Sequence, residues 1–175
     1  KAINMPKDNI NRAIKNIRKF HNKQLPSGFT INQNDGTQSR FEWRPLERVG
    51  LYIPGGRFPL FSTLLMNVIP AQVAGVKEIA ICSPPSKSHF VDETILAVCS
   101  ILGISEVYSI GGAQAIAALA YGTKIIRPVN KIFGPGNVYI ASAKKQVFGK
   151  VGIDLIAGPS EIVVVADDKN NPDWV

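Results

Sequence analysis

Four glycine-bearing turns are the part of this sequence whose residue types could bind a ligand. Each follows a strand-like run, and two of them lead directly into a helical pattern. Free backbone N–H groups and the helix dipole at such a helix start favour an anion such as a phosphate, and glycine lets the backbone approach it closely. The four turns are Tyr52-Ile53-Pro54-Gly55-Gly56, Gly111-Gly112-Ala113-Gln114, Gly134-Pro135-Gly136-Asn137 and Ala157-Gly158-Pro159-Ser160-Glu161.

Two amide side chains lie in the first helical turn after these glycines. Gln114 and Asn137 could reach a bound ligand or cap their own helices. None of the turns has the G-x-G-x-x-G or Walker A pattern, so each alone is also compatible with a plain capped turn. Because all four fall at one edge of the predicted sheet, the residues indicate a domain with a phosphate-bearing ligand, without identifying a reaction.

Other residues that commonly carry chemistry are few. Cys82 and Cys99 are too few for a disulfide framework or a cysteine-based zinc site. Their apolar neighbours favour reduced, buried structural thiols, whereas a nucleophilic Cys82 would need a nearby base that the local sequence does not show. His21 and His89 have no partners at metal-ligand spacing, which favours a surface position for both.

Composition and charge exclude several classes of protein. The 175 residues are 45% hydrophobic and 19% charged, which excludes wholesale disorder, a coiled coil and a collagen-like chain. No apolar run reaches the roughly 18 residues of a membrane-spanning helix. The net charge is +7, and residues 1–50 hold ten Lys or Arg against four Asp or Glu. Nucleic-acid binding is one interpretation of this basic end, but a solvated helix face is favoured because no nucleic-acid motif accompanies it.

The elements that must position the turns alternate along the chain. Residues 8–20 have the spacing of an amphipathic helix, and residues 28–50 predict a hairpin around Asn34-Asp35-Gly36. From Val49 on, strand and helix patterns alternate, which is typical of an α/β fold with a parallel sheet and helices on both faces. The predicted strands are 49–53, 78–82, 105–110, 131–133, 152–156 and 162–166.

Caps and breakers predict where the first two helices of this alternation begin and end. Ser62 or Thr63 is expected to cap the first helix, and Asp92 the second, because their side-chain oxygens can accept from free backbone N–H groups. Pro70 is expected to kink or shorten the first helix, since proline has no N–H to donate.

Several longer motifs resemble the histidinol dehydrogenase family, in that family's order. They are Val49-Gly50-Leu51-Tyr52-Ile53-Pro54-Gly55-Gly56, Pro59-Leu60-Phe61-Ser62-Thr63, Cys82-Ser83-Pro84-Pro85, Gly111-Gly112-Ala113-Gln114-Ala115-Ile116-Ala117-Ala118-Leu119-Ala120, Lys131-Ile132-Phe133-Gly134-Pro135-Gly136-Asn137, and the run from Ile153-Asp154 to Ala157-Gly158-Pro159-Ser160-Glu161. The resemblance covers nearly the whole chain, most firmly residues 41–166. It implies an incomplete Rossmann-like sheet preceded by the N-terminal helix and hairpin.

The resemblance also implies a reaction and the residues that serve it. Family members oxidise L-histidinol through L-histidinal to L-histidine with two NAD, the last two steps of histidine biosynthesis, as zinc-dependent cytoplasmic homodimers without nucleic-acid or membrane partners. By analogy, Tyr52, Gln114 and Asn137 match NAD-contacting positions and Ser160 a substrate-contacting one. The alternatives are a core tyrosine for Tyr52, a turn cap for Ser160, and helix caps for the two amides.

The departures from the family pattern matter as much as the matches. In the family, the zinc ligands and the Glu-His acid/base pair lie beyond the equivalent of Val175, so no catalytic or metal-binding residue is expected here. The chain is expected to be a fragment, inactive alone: 1–48 as N-terminal helix and hairpin, 49–157 as a first Rossmann-like NAD-binding domain, and 158–175 as the start of a second, truncated domain. The alternative is a stand-alone nucleotide-binding module without catalysis.

Overall fold

The computed structural model describes residues 7–55, 59–86, 89–156 and 161–174. It begins with the amphipathic helix α1 (Lys7–Asn22) and the antiparallel hairpin of β1 (Phe29–Asn32) and β2 (Gln38–Phe41). In the turn between these strands, the Asp35 carboxylate accepts from the backbone N–H of Thr37 at 2.8 Å, and Gly36 takes a φ of +87°. The predicted helix and hairpin are therefore confirmed, although the second strand ends at Phe41.

The described residues between 48 and 153 form one five-stranded parallel sheet and the helices that cover it. Its elements are β3 (Arg48–Tyr52), α2 (Phe61–Val73), β4 (Glu78–Ser83), α3 (Glu93–Ile101), β5 (Val107–Ser109), α4 (Gly112–Tyr121), β6 (Lys131–Phe133), α5 (Val138–Val147) and β7 (Gly152–Ile153). The strand order is β5-β4-β3-β6-β7, and all four pairings are parallel. The predicted α/β class, with an incomplete Rossmann-like parallel sheet after an N-terminal helix and hairpin, is confirmed.

Two hydrophobic cores, one on each face of the sheet, hold the strands in place. On one face, alternate strand residues such as Leu51 and Ile81 pack with α1, α2 and α3. On the other face, Tyr52, Cys82 and Ile132 pack with α4 and α5. The strands are apolar on both faces because helices cover both, which is the pattern of buried parallel strands.

Helix α2 departs from the sequence-based expectation at its N-terminus, and Pro70 does not shorten it. It begins at Phe61 with Leu60 as its N-cap and no side-chain cap, so the predicted cap at Ser62 or Thr63 is wrong. The backbone N–H of Leu64 donates to the carbonyl oxygen of Leu60 at 3.3 Å and closes the first turn without a side chain. The helix runs past Pro70 to Val73, because packing of its buried residues against the sheet outweighs the one lost N–H.

The end of the described chain departs from expectation as well. Strand β7 stops at Ile153 because the Asp154 carboxylate accepts from two backbone N–H groups and turns the chain away from the sheet. Residues 162–166 form no strand, and Val163 and Val165 are 87% and 91% exposed. The β-branched residues locally favour an extended backbone, but a strand also needs a neighbouring backbone to pair with. No described strand lies beside this segment.

Asp92 caps a helix and Ser62 does not, so their replacement by alanine should affect stability differently. The Asp92 carboxylate accepts from the backbone N–H of Thr94 at 2.8 Å, so Asp92→Ala should lower the free energy of unfolding by about 1 kcal/mol. Ser62 is exposed and caps nothing, so Ser62→Ala should stay within about 0.5 kcal/mol of the parent chain. Urea denaturation of both variants checks this, and equal losses would contradict the assignment of caps.

Candidate functional site

The carboxyl edge of the sheet contains a topological switch point between β3 and β6. These strands are neighbours, but β4 lies on the other side of β3, so the connections leave the pair in opposite directions. Open α/β sheets bind their ligands in the crevice at such a point. A cleft of about 300 Å³ lies there, between α2 and α5. It is lined by Asn67, Gly134, Pro135, Gly136, Ile140, Ala141, Lys144, Asp154 and Leu155.

The turn after β6 presses directly on the end of β3. Gly134 has a φ of +114°, a conformation that residues with a Cβ rarely adopt. A Cβ at this position would collide with the backbone carbonyl oxygen of Tyr52. Only glycine therefore lets the two turns that flank the switch point come this close.

The turns after β3, β4 and β5 pack together in the same way. A Cβ on Gly55 would lie 3.2 Å from the carbonyl oxygen of Pro84, and one on Gly111 would lie 2.5 Å from the Cγ of Pro84. Pro84 thus sits between the two glycine turns and touches both. The turns that the sequence analysis singled out after β3, β5 and β6 are therefore in contact with their neighbours at one edge of the sheet.

The N-terminus of α4 faces Tyr52. Its N-cap, Gly111, has no side chain to satisfy the first N–H groups, and the backbone N–H of Gly112 donates to the Tyr52 hydroxyl at 3.4 Å. Gln114 is exposed, and its amide lies over Gly112, where an added Cβ would meet Oε1 at 2.6 Å. This places Tyr52 and Gln114 at the same helix start.

Tyr52 combines a buried ring with a neutral hydroxyl. The residue is 5% exposed and belongs to the core beneath α4 and α5, which is what the core-tyrosine alternative expected. Burial raises the pKa of Tyr52 above its usual value, so the phenol keeps its proton at neutral pH. The hydroxyl accepts from Gly112 and retains a proton that it can donate to a ligand oxygen.

Asn137 caps α5. Its Oδ1 accepts from the backbone N–H groups of Tyr139 at 3.1 Å and Ile140 at 3.2 Å. The capping alternative is therefore realised, but the cap uses only the carbonyl oxygen of the side chain. The amide nitrogen has no part in the cap, and Asn137 is exposed beside the cleft-lining residue Gly136.

Sequence reasoning missed two residues of this site, Lys144 and Asp154. Lys144 is 4% exposed, and its Nζ donates to the carbonyl oxygen of Gly134 at 2.5 Å and to Oδ1 of Asp154 at 2.7 Å. Oδ2 of Asp154 accepts from the backbone N–H of Gly134 at 2.9 Å. The available signal was the spacing of Lys144, which falls in the apolar stripe of α5 with Ile140 and Val147.

A second charge cluster lies at the opposite, amino-terminal edge of the sheet. The guanidinium of Arg48, 5% exposed, bonds Glu106 through two nitrogens and Glu78 at 3.0 Å. Arg127 bonds the same Glu78 carboxylate at 2.7 Å, and the Tyr108 hydroxyl donates to Glu106 at 2.7 Å. Because ligands bind at the other edge, this cluster is assigned to stability.

The cysteines are structural. Both are buried, and burial is the main cause that raises the pKa of Cys82 to about 12 and that of Cys99 to about 11. Neither thiol is ionised at neutral pH, which argues against the nucleophilic alternative for Cys82.

The described residues offer no metal site and no membrane span. They contain no group of three or more His, Cys, Asp or Glu side chains that could hold a metal ion. Among the same residues, every helix is too short or too polar to cross a bilayer. Ser160, expected at the substrate, lies outside the described residues, as does the fourth glycine turn except for Glu161.

The comparisons with known proteins agree with one another. The sequence profile of the family described as histidinol dehydrogenase matches residues 3–175. The histidinol dehydrogenases of Geobacillus kaustophilus and Caulobacter vibrioides are 56% and 52% identical to this chain, over 95% and 93% of its length. The crystal structure of histidinol dehydrogenase from Elizabethkingia anophelis matches with a TM-score of 0.81 at 46% identity, over 93% of this chain and 38% of that one.

These matches span nearly all of this chain but less than half of each relative. The chain covers 39% and 37% of the two curated relatives, so it corresponds to a part of each of them. Within that part, the family profile runs through the glycine turns and both helix starts of the site. The chain belongs to the histidinol dehydrogenase family.

Proposed function

We propose that this chain forms the NAD-binding part of a histidinol dehydrogenase. The packing of three glycine turns along the carboxyl edge of the sheet, which contains the switch point, in a member of this family, is the observation that carries the proposal. The reaction proposed for the whole enzyme is the four-electron oxidation of L-histidinol through L-histidinal to L-histidine, the last two steps of histidine biosynthesis, with two NAD consumed.

The residues at the carboxyl edge fit a dinucleotide. Gly111 packs against Pro84 and Gly134 against the carbonyl oxygen of Tyr52, so the absence of a Cβ brings the glycine turns together at this edge. The glycine N-cap of α4 leaves N–H groups of the first turn without a side-chain cap, and such groups bind phosphate oxygens. These features support a pyrophosphate at this edge.

Three side chains are proposed to contact NAD. Tyr52 would donate its hydroxyl proton to the cofactor while its buried ring fixes the position of that hydroxyl. Gln114 and Asn137 would donate from their exposed amide nitrogens at the starts of α4 and α5. When bound, NAD supplies the acceptor for the hydride that leaves the substrate carbon. The contribution of this chain is to bind and orient the cofactor.

Zinc does not fit the described residues, because they hold no donor cluster. Zinc, the acid/base pair, the homodimer and a cytoplasmic location, without nucleic-acid or membrane partners, are proposed for the whole enzyme only. Ser160 is proposed to contact L-histidinol. The domain boundaries after residues 48 and 157 are proposed as well, between the N-terminal helix and hairpin, the first Rossmann-like domain and the start of a second domain. The chain by itself is expected to show no turnover of histidinol.

A nucleotide-binding module without catalysis is the alternative, favoured by the same absence of a donor cluster in the described residues. Neither proposal expects turnover by the chain alone, so an assay of histidinol oxidation by the chain, with zinc and NAD supplied, tests both at once. Detectable turnover, free of contaminating enzyme, would contradict both the expected inactivity and the module.

Asn137→Asp separates the cap from the proposed contact with NAD. Aspartate keeps an oxygen for the N–H groups of Tyr139 and Ile140, so the free energy of unfolding should change by less than about 0.5 kcal/mol. It replaces a donor by a negative charge, which should weaken NAD binding by at least about tenfold. Isothermal titration calorimetry measures the affinity, with Asn32→Asp on the exposed hairpin as the matched control. Equal affinities for Asn137→Asp and the control would remove Asn137 from the site.

A further inference from the structure

Lys144 is a buried cation in a position that packing alone would give to an apolar side chain. It lies in the buried stripe of α5, and its side chain is 5% exposed. Taking an ammonium out of water is unfavourable unless its partners replace the lost hydration, and apolar residues in place of a whole buried ion pair are often as stable or more stable. The presence of lysine therefore calls for a reason other than stability of the helix.

The partners of Lys144 point to that reason. Its Nζ bonds the carbonyl oxygen of Gly134, while Asp154 accepts from the N–H of the same glycine. Both polar groups of one residue are thus held by a side-chain pair that is itself joined at 2.7 Å. Asp154 also accepts from the N–H of Leu155 at 2.8 Å, which ties the chain after β7 to the turn after β6.

The glycine held in this way, Gly134, is the one whose displacement would disturb the site most. Gly134 has the left-handed φ and the close approach to Tyr52, and it begins the turn that leads to Asn137 and α5. Lys144 and Asp154 also line the cleft at the switch point. A rotation of the peptide groups at Gly134 would move the start of α5 relative to the end of β3.

We infer that Lys144 and Asp154 are positioning residues for NAD, which act through the backbone of Gly134 and need not touch the cofactor. The inference rests on the proposed function, because it assigns the turn to NAD binding. Lys144 and Asp154 hold the turn in one conformation in the absence of NAD. Binding then loses no free energy to ordering the turn. Side chains that align the groups in contact with a ligand influence affinity strongly, since small displacements of those groups are enough to weaken binding.

Lys144→Met tests the inference on the 175-residue chain. Methionine fills the apolar space but makes neither bond and leaves the Asp154 carboxylate without its cation, so the melting temperature should fall. NAD binding, measured well below that temperature, should weaken by about tenfold or more. Amide hydrogen exchange of Gly134 and Gly136, measured without NAD, should become faster. Lys145→Met is the matched control, because Lys145 is exposed on the same helix, and its NAD affinity should stay within about twofold of the parent.

A second variant keeps the test decisive if Lys144→Met does not fold. Asp154→Asn can keep the Oδ1 that accepts from Lys144 and Leu155, but it loses the Oδ2 that accepts from the N–H of Gly134. It should therefore also weaken NAD binding and speed exchange at Gly134. NAD affinity unchanged in both variants, with binding by the parent chain, would overturn the positioning role alone. A parent chain that binds no NAD would overturn the proposed function itself and, with it, this role.

Discussion

Gly134→Ala is expected to lower the free energy of unfolding by about 4 kcal/mol and to remove NAD binding. The new Cβ would collide with the carbonyl oxygen of Tyr52, which belongs to a central strand and cannot move without breaking the sheet. The φ of +114° adds strain for any residue with a Cβ. Chemical denaturation and calorimetric titration with NAD measure the two effects.

Gly149→Ala is the control for Gly134→Ala, because it separates collision from strain. Gly149 has a similar φ of +97°, but nothing lies within 4 Å of the position its Cβ would take. Its replacement should therefore remove only about 1 kcal/mol and leave NAD affinity unchanged. If both alanine variants lose the same stability, the close approach of the two turns at the switch point is wrong.

Arg48→Met is expected to destabilise the chain by about 3 kcal/mol, the second large effect. It leaves Glu106 and Glu78 without their shared cation at the amino-terminal edge, where their side chains are 28% and 43% exposed. That partial exposure, and the buried Nε of Arg48 that lacks a partner, keep the loss near the lower end for buried ion pairs. Arg127→Met, which removes a 67% exposed cation from the same cluster, should cost less than about 1 kcal/mol.

Arg48→Met should also change how the stability of the chain depends on pH. Hydrogen bonding to Arg48 is the main cause that lowers the pKa of Glu106 below its ordinary value of 4.5. A carboxylate with a lowered pKa stabilises the fold above that ordinary value, and the stabilisation is lost as the pH falls through the folded-state pKa. Denaturation between pH 7 and pH 3 should therefore show a shallower loss below about pH 4.5 in Arg48→Met than in the parent. Parallel curves would contradict the pairing of Glu106 with Arg48.

The alternation of patterns was enough to predict the sheet and the faces of its helices. The cap at Asp92 was predicted correctly because it depends on a neighbour two residues away. The strand at 131–133 was also predicted correctly, and it has partner strands on both sides. The failures depend on distant parts of the chain. Residues 162–166 are β-branched, but a strand also needs a partner backbone, and sequence periodicity cannot supply one.

The site was predictable in its glycines and not in its supporting side chains. A glycine turn can be recognised in a sequence, because few other residues adopt the backbone conformations of glycine. Lys144 lies ten residues from both Gly134 and Asp154, and only the folded turn brings the three together. A lysine within an apolar helical stripe is the pattern that would have suggested such a contact.

An NMR titration of the ¹⁵N-labelled chain with NAD shows directly whether the cofactor binds at the carboxyl edge of the sheet. Saturable shifts are expected for the backbone amides of Gly112, Gly134 and Tyr139, at the starts of α4 and α5 and in the turn between β6 and α5. Amides at the amino-terminal edge, such as Arg48, should not move. Saturable shifts centred on Arg48 and Glu106, or none anywhere at millimolar NAD, would contradict the assignment of NAD to the carboxyl edge of the sheet.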